Sequence, residues 1–366
     1  MSNGPRTKRE LKRSENKSLV SNLKNGILVG AVITLLAGCH MGRGGAPRMR
    51  ISPYFGSSIH YLEYNNLGKH RHGKGSRDKI GMLYTSKGGY IDLGHVRESA
   101  DRTFYASKIT LENLIKGEKE FSFRMIESAK YIVKINYPDY WNKIGKDKQE
   151  KIAKEVSIDL GAYLSRISTI WHEIITWYGY SYVKLFSEQV SSFSWEDIYS
   201  DVLGAKLGAL ALRDPARSFD DSMTLLINKA LKILGVQSPE IARSATQKIE
   251  GKWFTGVRYP FITMKKRNFD VGFDDGVITP WCVPGICPSA VRNLCPVPNL
   301  DRISRYGFSI ELEIKPRELH KKEVLRIIYP NGEGKRLQPE IHFPIIVEHI
   351  KNEARKKYPE VGNPIL

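Results

Sequence analysis

Two histidines and two carboxylates stand where they could do chemistry. His172 and Glu173 lie side by side in Ile167-Ser-Thr-Ile-Trp-His-Glu-Ile-Ile-Thr-Trp-Tyr-Gly179, at the end of a long helical segment. His95 falls where a strand pattern gives way to a helical one, and Asp201 sits early in a third helical stretch. Neutral imidazole and carboxylate oxygens suit zinc, and a carboxylate next to a ligating histidine can serve as general base toward metal-bound water. In that reading His95, His172 and Asp201 are the metal ligands and Glu173 is the catalytic base. A His-Glu-x-x-His motif would need its second histidine at position 176, which is Thr176, so His95 has to replace it. The competing reading is structural: His172 hydrogen-bonds to Asp201 or Ser168 within a helical core. Adjacent helical residues point about 100° apart, so His172 and Glu173 cannot face one point squarely.

The elements that must position these groups are legible from periodicity. From about Asp147 to Gly179, Leu160, Leu164, Ile167, Trp171, Ile174 and Tyr178 form one apolar stripe, while Ser165, Ser168, His172 and Thr176 share a second, small and polar one. Ser194-Trp-Glu-Asp197 caps the next helix, about 195–213, on which Asp197, Asp201, Gly204, Ala205 and Gly208 align. Small residues admit a close helix neighbour, and the expected neighbour is the stripe bearing His172. The alternative makes Asp197 and Asp201 solvated first-turn carboxylates favoured by the helix dipole. Alternation predicts hairpins at 80–93 and 121–137 and a strand at 306–315, and further helices follow from Ser218, Ser238 and Pro344. Asp270, Asp274 and Asp275 fail the EF-hand spacing and read as a turn-rich loop capping its own backbone. The fold class is α+β, a central helical bundle with flanking antiparallel β hairpins in a single compact domain. That domain spans 51–366, with its helical centre at about 146–255 and a mixed C-terminal part at about 256–366.

The formal net charge of +18 over 366 residues looks like a nucleic-acid signature until the N-terminus is read. A basic stretch precedes an apolar run from Ile27 to Ala37, too short to span a bilayer, and Leu36-Ala-Gly-Cys39 follows. This resembles a bacterial lipobox. Residues 1–38 are then a lipoprotein signal peptide, Cys39 carries the lipid, and residues 39–50 form a flexible tether. Seven basic and two acidic residues precede Cys39, which leaves about +13 on the mature chain. The expected location is the periplasmic face of the outer membrane, with the membrane as partner through the lipid. Anionic envelope components are the other expected partners, and nucleic acid is not. The basic loop Lys69-His-Arg-His-Gly-Lys-Gly75 reads as solvated, with headgroup contact as its functional alternative. Outside the cytoplasm, the Pro284-Gly285 turn would bring Cys282 and Cys287 into a disulfide, leaving Cys295 as the odd thiol.

Four blocks occur in order: Tyr84 to Arg97, Trp171 to Gly179, Tyr199 to Gly204, and Arg267 to Gly272 with Thr279-Pro-Trp281. Together they resemble an uncharacterised bacterial lipoprotein family, domain of unknown function 4056. Overlapping the third block, Glu196 to Gly204 is also faintly similar to the helix that supplies a carboxylate ligand in thermolysin-like enzymes. The family resemblance implies an envelope lipoprotein and brings no activity with it. The function expected is therefore a lipid-anchored envelope lipoprotein with a polar site at His95, His172, Glu173 and Asp201. Its alternative is a zinc-dependent, peptidase-like hydrolase of envelope substrates.

Overall fold

Three helices whose contact faces are made of glycine, alanine and serine build the centre of the molecule. The structure, a computed structural model, describes residues 47–50, 59–72, 78–180, 188–255 and 263–358. The expected signal peptide and Cys39 lie outside the described residues. Helix α1, Leu93–Lys116, begins at Asp92, whose carboxylate accepts from Gly94 N at 2.6 Å and His95 N at 3.4 Å. It stops at Gly117, where a φ of 73° suits only a residue without Cβ. Helix α2, Lys146–Trp177, ends in the same way, with Gly179 at φ 92° two residues on. Helix α3 spans Asp197–Arg213.

Helix α1 is packed between the other two. A Cβ on Gly204 of α3 would lie 2.3 Å from the Val96 carbonyl, and one on Gly208 would lie 2.9 Å from Ala100 Cα. On the opposite side, a Cβ on Gly161 of α2 would meet Ser107 Oγ at 2.0 Å. The small-residue stripe of α3 therefore lies against the helix that carries His95, not against the stripe that carries His172. The reason is steric: where backbones touch, only glycine fits, and α1 supplies the matching backbone.

Around this trio, α4 (Phe219–Ile233) and α5 (Pro239–Ile249) close one side. Strands β1 (Met82–Thr85) and β2 (Gly89–Asp92) form the hairpin that delivers Asp92, with Met82 opposite Asp92. Strands β3 (Glu120–Phe123) and β4 (Lys130–Asn136) form the second hairpin. It is completed by β7 (Ser309–Lys315), which pairs antiparallel to β4 with Val133 opposite Leu312. Two short strands, β5 (Val277–Ile278) and β6 (Cys295–Pro296), make a third sheet, and α6 (Asp301–Arg305), α7 (Lys321–Ile328) and α8 (Pro339–Lys357) finish the chain. The β4–β7 pairing ties the C-terminal part to the hairpin at 120–136, so both share one core. The result is the α+β architecture with small antiparallel sheets that periodicity predicts.

Three local expectations are corrected. The basic loop is not uniformly solvated: His70 is fully buried, and its Nε2 lies 3.0 Å from Asp101 Oδ1, with His72 Nδ1 at 3.1 Å from the same oxygen. The end of the expected tether is likewise fixed, because Arg50 is 6% exposed and donates to Asp101 at 2.6 Å and Asp78 at 2.9 Å. Finally, Cys282 and Cys287 are separate thiols, as is Cys295. The Cys282 thiol donates to the Ser86 carbonyl at 3.8 Å, and Cys295 is held in β6 opposite Ile278, so the turn does not join them. Asp270 and Asp275, in contrast, accept from Gly272 N and Val277 N, the self-capping loop their spacing implies.

Candidate metal centre

The start of α1 and the start of α3 meet side by side, because the glycine contacts hold these helices close. Each begins with carboxylates: Asp92 at the cap of α1, and Glu196 and Asp197 at the start of α3. His95 projects between them. Its Nδ1 lies 2.9 Å from Asp197 Oδ1, an ion-pair distance. Asp92, His95 and Asp197 each offer one ligand atom, and these three atoms lie within 4.8 Å of one another. Two atoms ligating the same ion at about 2.0–2.1 Å stand roughly 3 Å apart. The Asp92–His95–Asp197 cluster fits that description and could hold a metal ion.

Three more buried carboxyls face this trio, each oriented by one protein donor. Glu173 accepts from Phe193 N, Glu196 accepts from Ser194 Oγ, and Asp201 Oδ1 accepts from Ser99 Oγ at 2.7 Å. Burial, with Asp197 nearby as a second cause, pushes Glu173 up to about 7 and Glu196 up to about 8. Burial likewise pushes Asp201 up to about 7, with His95 working in the opposite direction. Asp92 is raised for the same reason. Burial works against the imidazolium of His95, but the Asp197 carboxylate outweighs it and holds the ring well above its ordinary value. The pocket thus gathers five carboxyl groups around one histidine.

Of the residues singled out from sequence, the structure brings His95, Glu173 and Asp201 to this pocket, and α2 turns His172 elsewhere. His172 Nδ1 lies 3.2 Å from Glu127 Oε1, and its ring meets Tyr180 edge-on at 6.0 Å. Glu127 is clamped by Arg102, which donates to both carboxylate oxygens at 2.9 and 2.7 Å and also to Glu98 at 2.8 Å and Ser168 at 3.0 Å. Burial opposes the charge on His172, but its hydrogen bond to Glu127 lifts it to about 9. The hydrogen-bonded partner is therefore Glu127, not Asp201 or Ser168. Asp92 and Asp197 were not singled out as ligands. The signal for Asp92 was its place three residues before His95 at a strand-to-helix junction, and for Asp197 its place one turn before Asp201.

The chain belongs to the family described as Protein of unknown function (DUF4056), which matches residues 56–276. That span covers α1, α2 and α3 and every member of the pocket. No curated protein and no solved structure matches the chain.

Proposed function

We propose that this protein is a metal-dependent hydrolase held in the bacterial envelope by a lipid on Cys39. The observation that carries the metal reading is that one ligand atom each of Asp92, His95 and Asp197 lie within 4.8 Å of one another, in a pocket with three further buried carboxyls. Asp92, His95 and Asp197 would hold the ion, and a mixed set of one imidazole and carboxylate oxygens suits zinc as well as harder divalent cations. A bound divalent cation supplies Lewis acidity and lowers the pKa of a bound water. Glu173, whose carboxyl titrates near neutrality, is the group that takes up a proton beside the ion. Phe193 N holds its carboxylate in place while it does so. Asp201 and Glu196 set the negative field that attracts the cation. Lipid anchoring rests on Leu36-Ala-Gly-Cys39 behind its apolar run; among the described residues no helix is long and apolar enough to cross a membrane.

Elemental analysis of the purified protein, beside His95→Ala and His172→Ala, tests the metal reading. One or more equivalents of a divalent metal are expected in the parent and in His172→Ala, and loss is expected in His95→Ala. Equal metal in all three, or none in any, rules the assignment out.

A further inference from the structure

A surface that has no part in the metal centre carries apolar side chains where water would ordinarily meet polar ones. Ile233 is 64% exposed, Leu294 54% and Val291 82%. Exposed apolar residues scattered singly need no partner. These three are gathered around one turn: Lys87, between β1 and β2, donates its N–H to the Leu234 carbonyl at 3.0 Å, and its own carbonyl accepts from Asn293 N at 2.8 Å. The end of α4, the tip of the first hairpin and the segment before β6 therefore form one surface. Buried Tyr199 fixes that segment from the core side, its hydroxyl donating to the Asn293 carbonyl at 2.9 Å.

The charge on the stretches that build this surface has one sign. Lys87, Lys229, Lys232 and Arg292 are exposed, and no acidic residue occurs from Lys79 to Ile91, from Ser222 to Pro239 or from Gly276 to Leu300. The residue after Pro239, Glu240, is paired with Arg243 at 2.8 Å. Lys229 and Ile233 stand one turn apart on α4, so a cation and an aliphatic side chain share a face. Aliphatic groups interleaved with unopposed cations suit the interface of an anionic bilayer, where the first enter the acyl boundary and the second meet phosphates.

Chain length lets one bilayer hold both the lipid anchor and this surface. The chain enters the fold beside the first turn of α4: Arg48 donates to the Arg71 carbonyl at 3.2 Å, and His72 N donates to Asp220 Oδ1 at 2.9 Å. From Asp220 to Ile233 the helix rises about 20 Å, and the eight residues from Cys39 to Pro47 reach at most about 28 Å. We propose that this surface docks on anionic phospholipid, with Ile233, Val291 and Leu294 at the acyl boundary and Lys87, Lys232 and Arg292 on the phosphates. These side chains are there whether or not Cys39 is lipidated; only the reach rests on the anchor.

Hydrogen exchange of the purified full chain, alone and with vesicles of phosphatidylcholine or of phosphatidylcholine mixed with phosphatidylglycerol, tests this. On the anionic vesicles, the amides of 229–236 and 286–294 should exchange about tenfold more slowly than on the neutral ones, with the amides of α2 unchanged as a control for folding. Lys87→Glu, Lys232→Glu and Arg292→Glu combined should abolish that difference, and Val291→Ser with Leu294→Ser should reduce it. Equal exchange on both kinds of vesicle, or a difference that survives the triple reversal, would overturn the assignment. So would protection that grows with protein concentration in the absence of vesicles, because a second copy of the chain would then be the partner. Attachment to neutral and anionic vesicles alike reads the lipid anchor, so the two readings fail separately.

Discussion

Two groups of buried carboxylates lie along α1, and they differ in one respect. At its N-terminus, Asp92, Glu173, Glu196, Asp197 and Asp201 share one histidine. Two turns further on, Glu98 and Glu127 share Arg102, and Asp101 receives Arg50, His70 and His72. Burial alone would raise Glu127 and Asp101, yet both titrate well below the ordinary carboxylate range because their cations overcome burial. Glu173, Glu196 and Asp201 are pushed up to about 7 or 8. Equal burial with opposite shifts separates scaffold from site: the group around Arg102 and Arg50 is compensated, and the N-terminal group has one histidine for five carboxyls.

The largest expected effect comes from breaking the compensated group. Arg102→Met should destabilise the fold by about 3 kcal/mol in urea unfolding, since it removes the buried guanidinium that Glu127 and Glu98 share and leaves His172 to offset Glu127. A loss below about 1 kcal/mol would mean that this network does not hold the scaffold.

Next is the pH dependence of the His172–Glu127 pair. The His172 ring is raised in the fold from its ordinary 6.5 to about 9. Its contribution is therefore fully present below about pH 6.5 and is lost as pH rises through about 9. The loss should be on the order of 3 kcal/mol, and His172→Gln should flatten the stability profile in that window. Glu127 carries the opposite sign, because its folded value is depressed: its contribution holds above its ordinary value of 4.5 and is lost as pH falls below it. A His172→Gln profile that parallels the parent would remove this pair from the scaffold.

The smallest effect sharpens the contrast most. In chelator, Asp197→Asn should raise the melting temperature by a few degrees, corresponding to about 1 kcal/mol, since it removes one like charge from an overfilled pocket. With a divalent metal added, the order of parent and variant should reverse. Destabilisation by Asp197→Asn in chelator would place Asp197 with the compensated group.

The corrections share a cause. Asp197 and Asp201 lie on one stripe in the sequence, but which helix covers that stripe depends on Gly204 meeting the Val96 carbonyl across 108 positions of chain, a match that periodicity cannot register. His70 and Arg50 read as loop and tether because their partner, Asp101, is remote. Pro344 read as a helix start, whereas α8 begins at Pro339 and carries Pro344 inside it. Glu127 read as the edge of a hairpin; it became the partner of His172 only when the connection between β3 and β4 met α2.

What the sequence determined by itself is whatever local periodicity and chain chemistry encode. That covers the α2 stripe, the helix start at Ser218, the hairpins, the lipobox-like Leu36-Ala-Gly-Cys39, and the presence of His95, Glu173 and Asp201 among candidate groups. The tertiary structure alone decided which charges are neutralised. Pairing depends on distances of about 3 Å between residues far apart in the chain, and a buried carboxylate changes its proton affinity according to whether such a neighbour is there. For that reason the sequence could offer His172 and His95 as equals, and only the fold gave one a clamped glutamate and the other a ring of carboxyls.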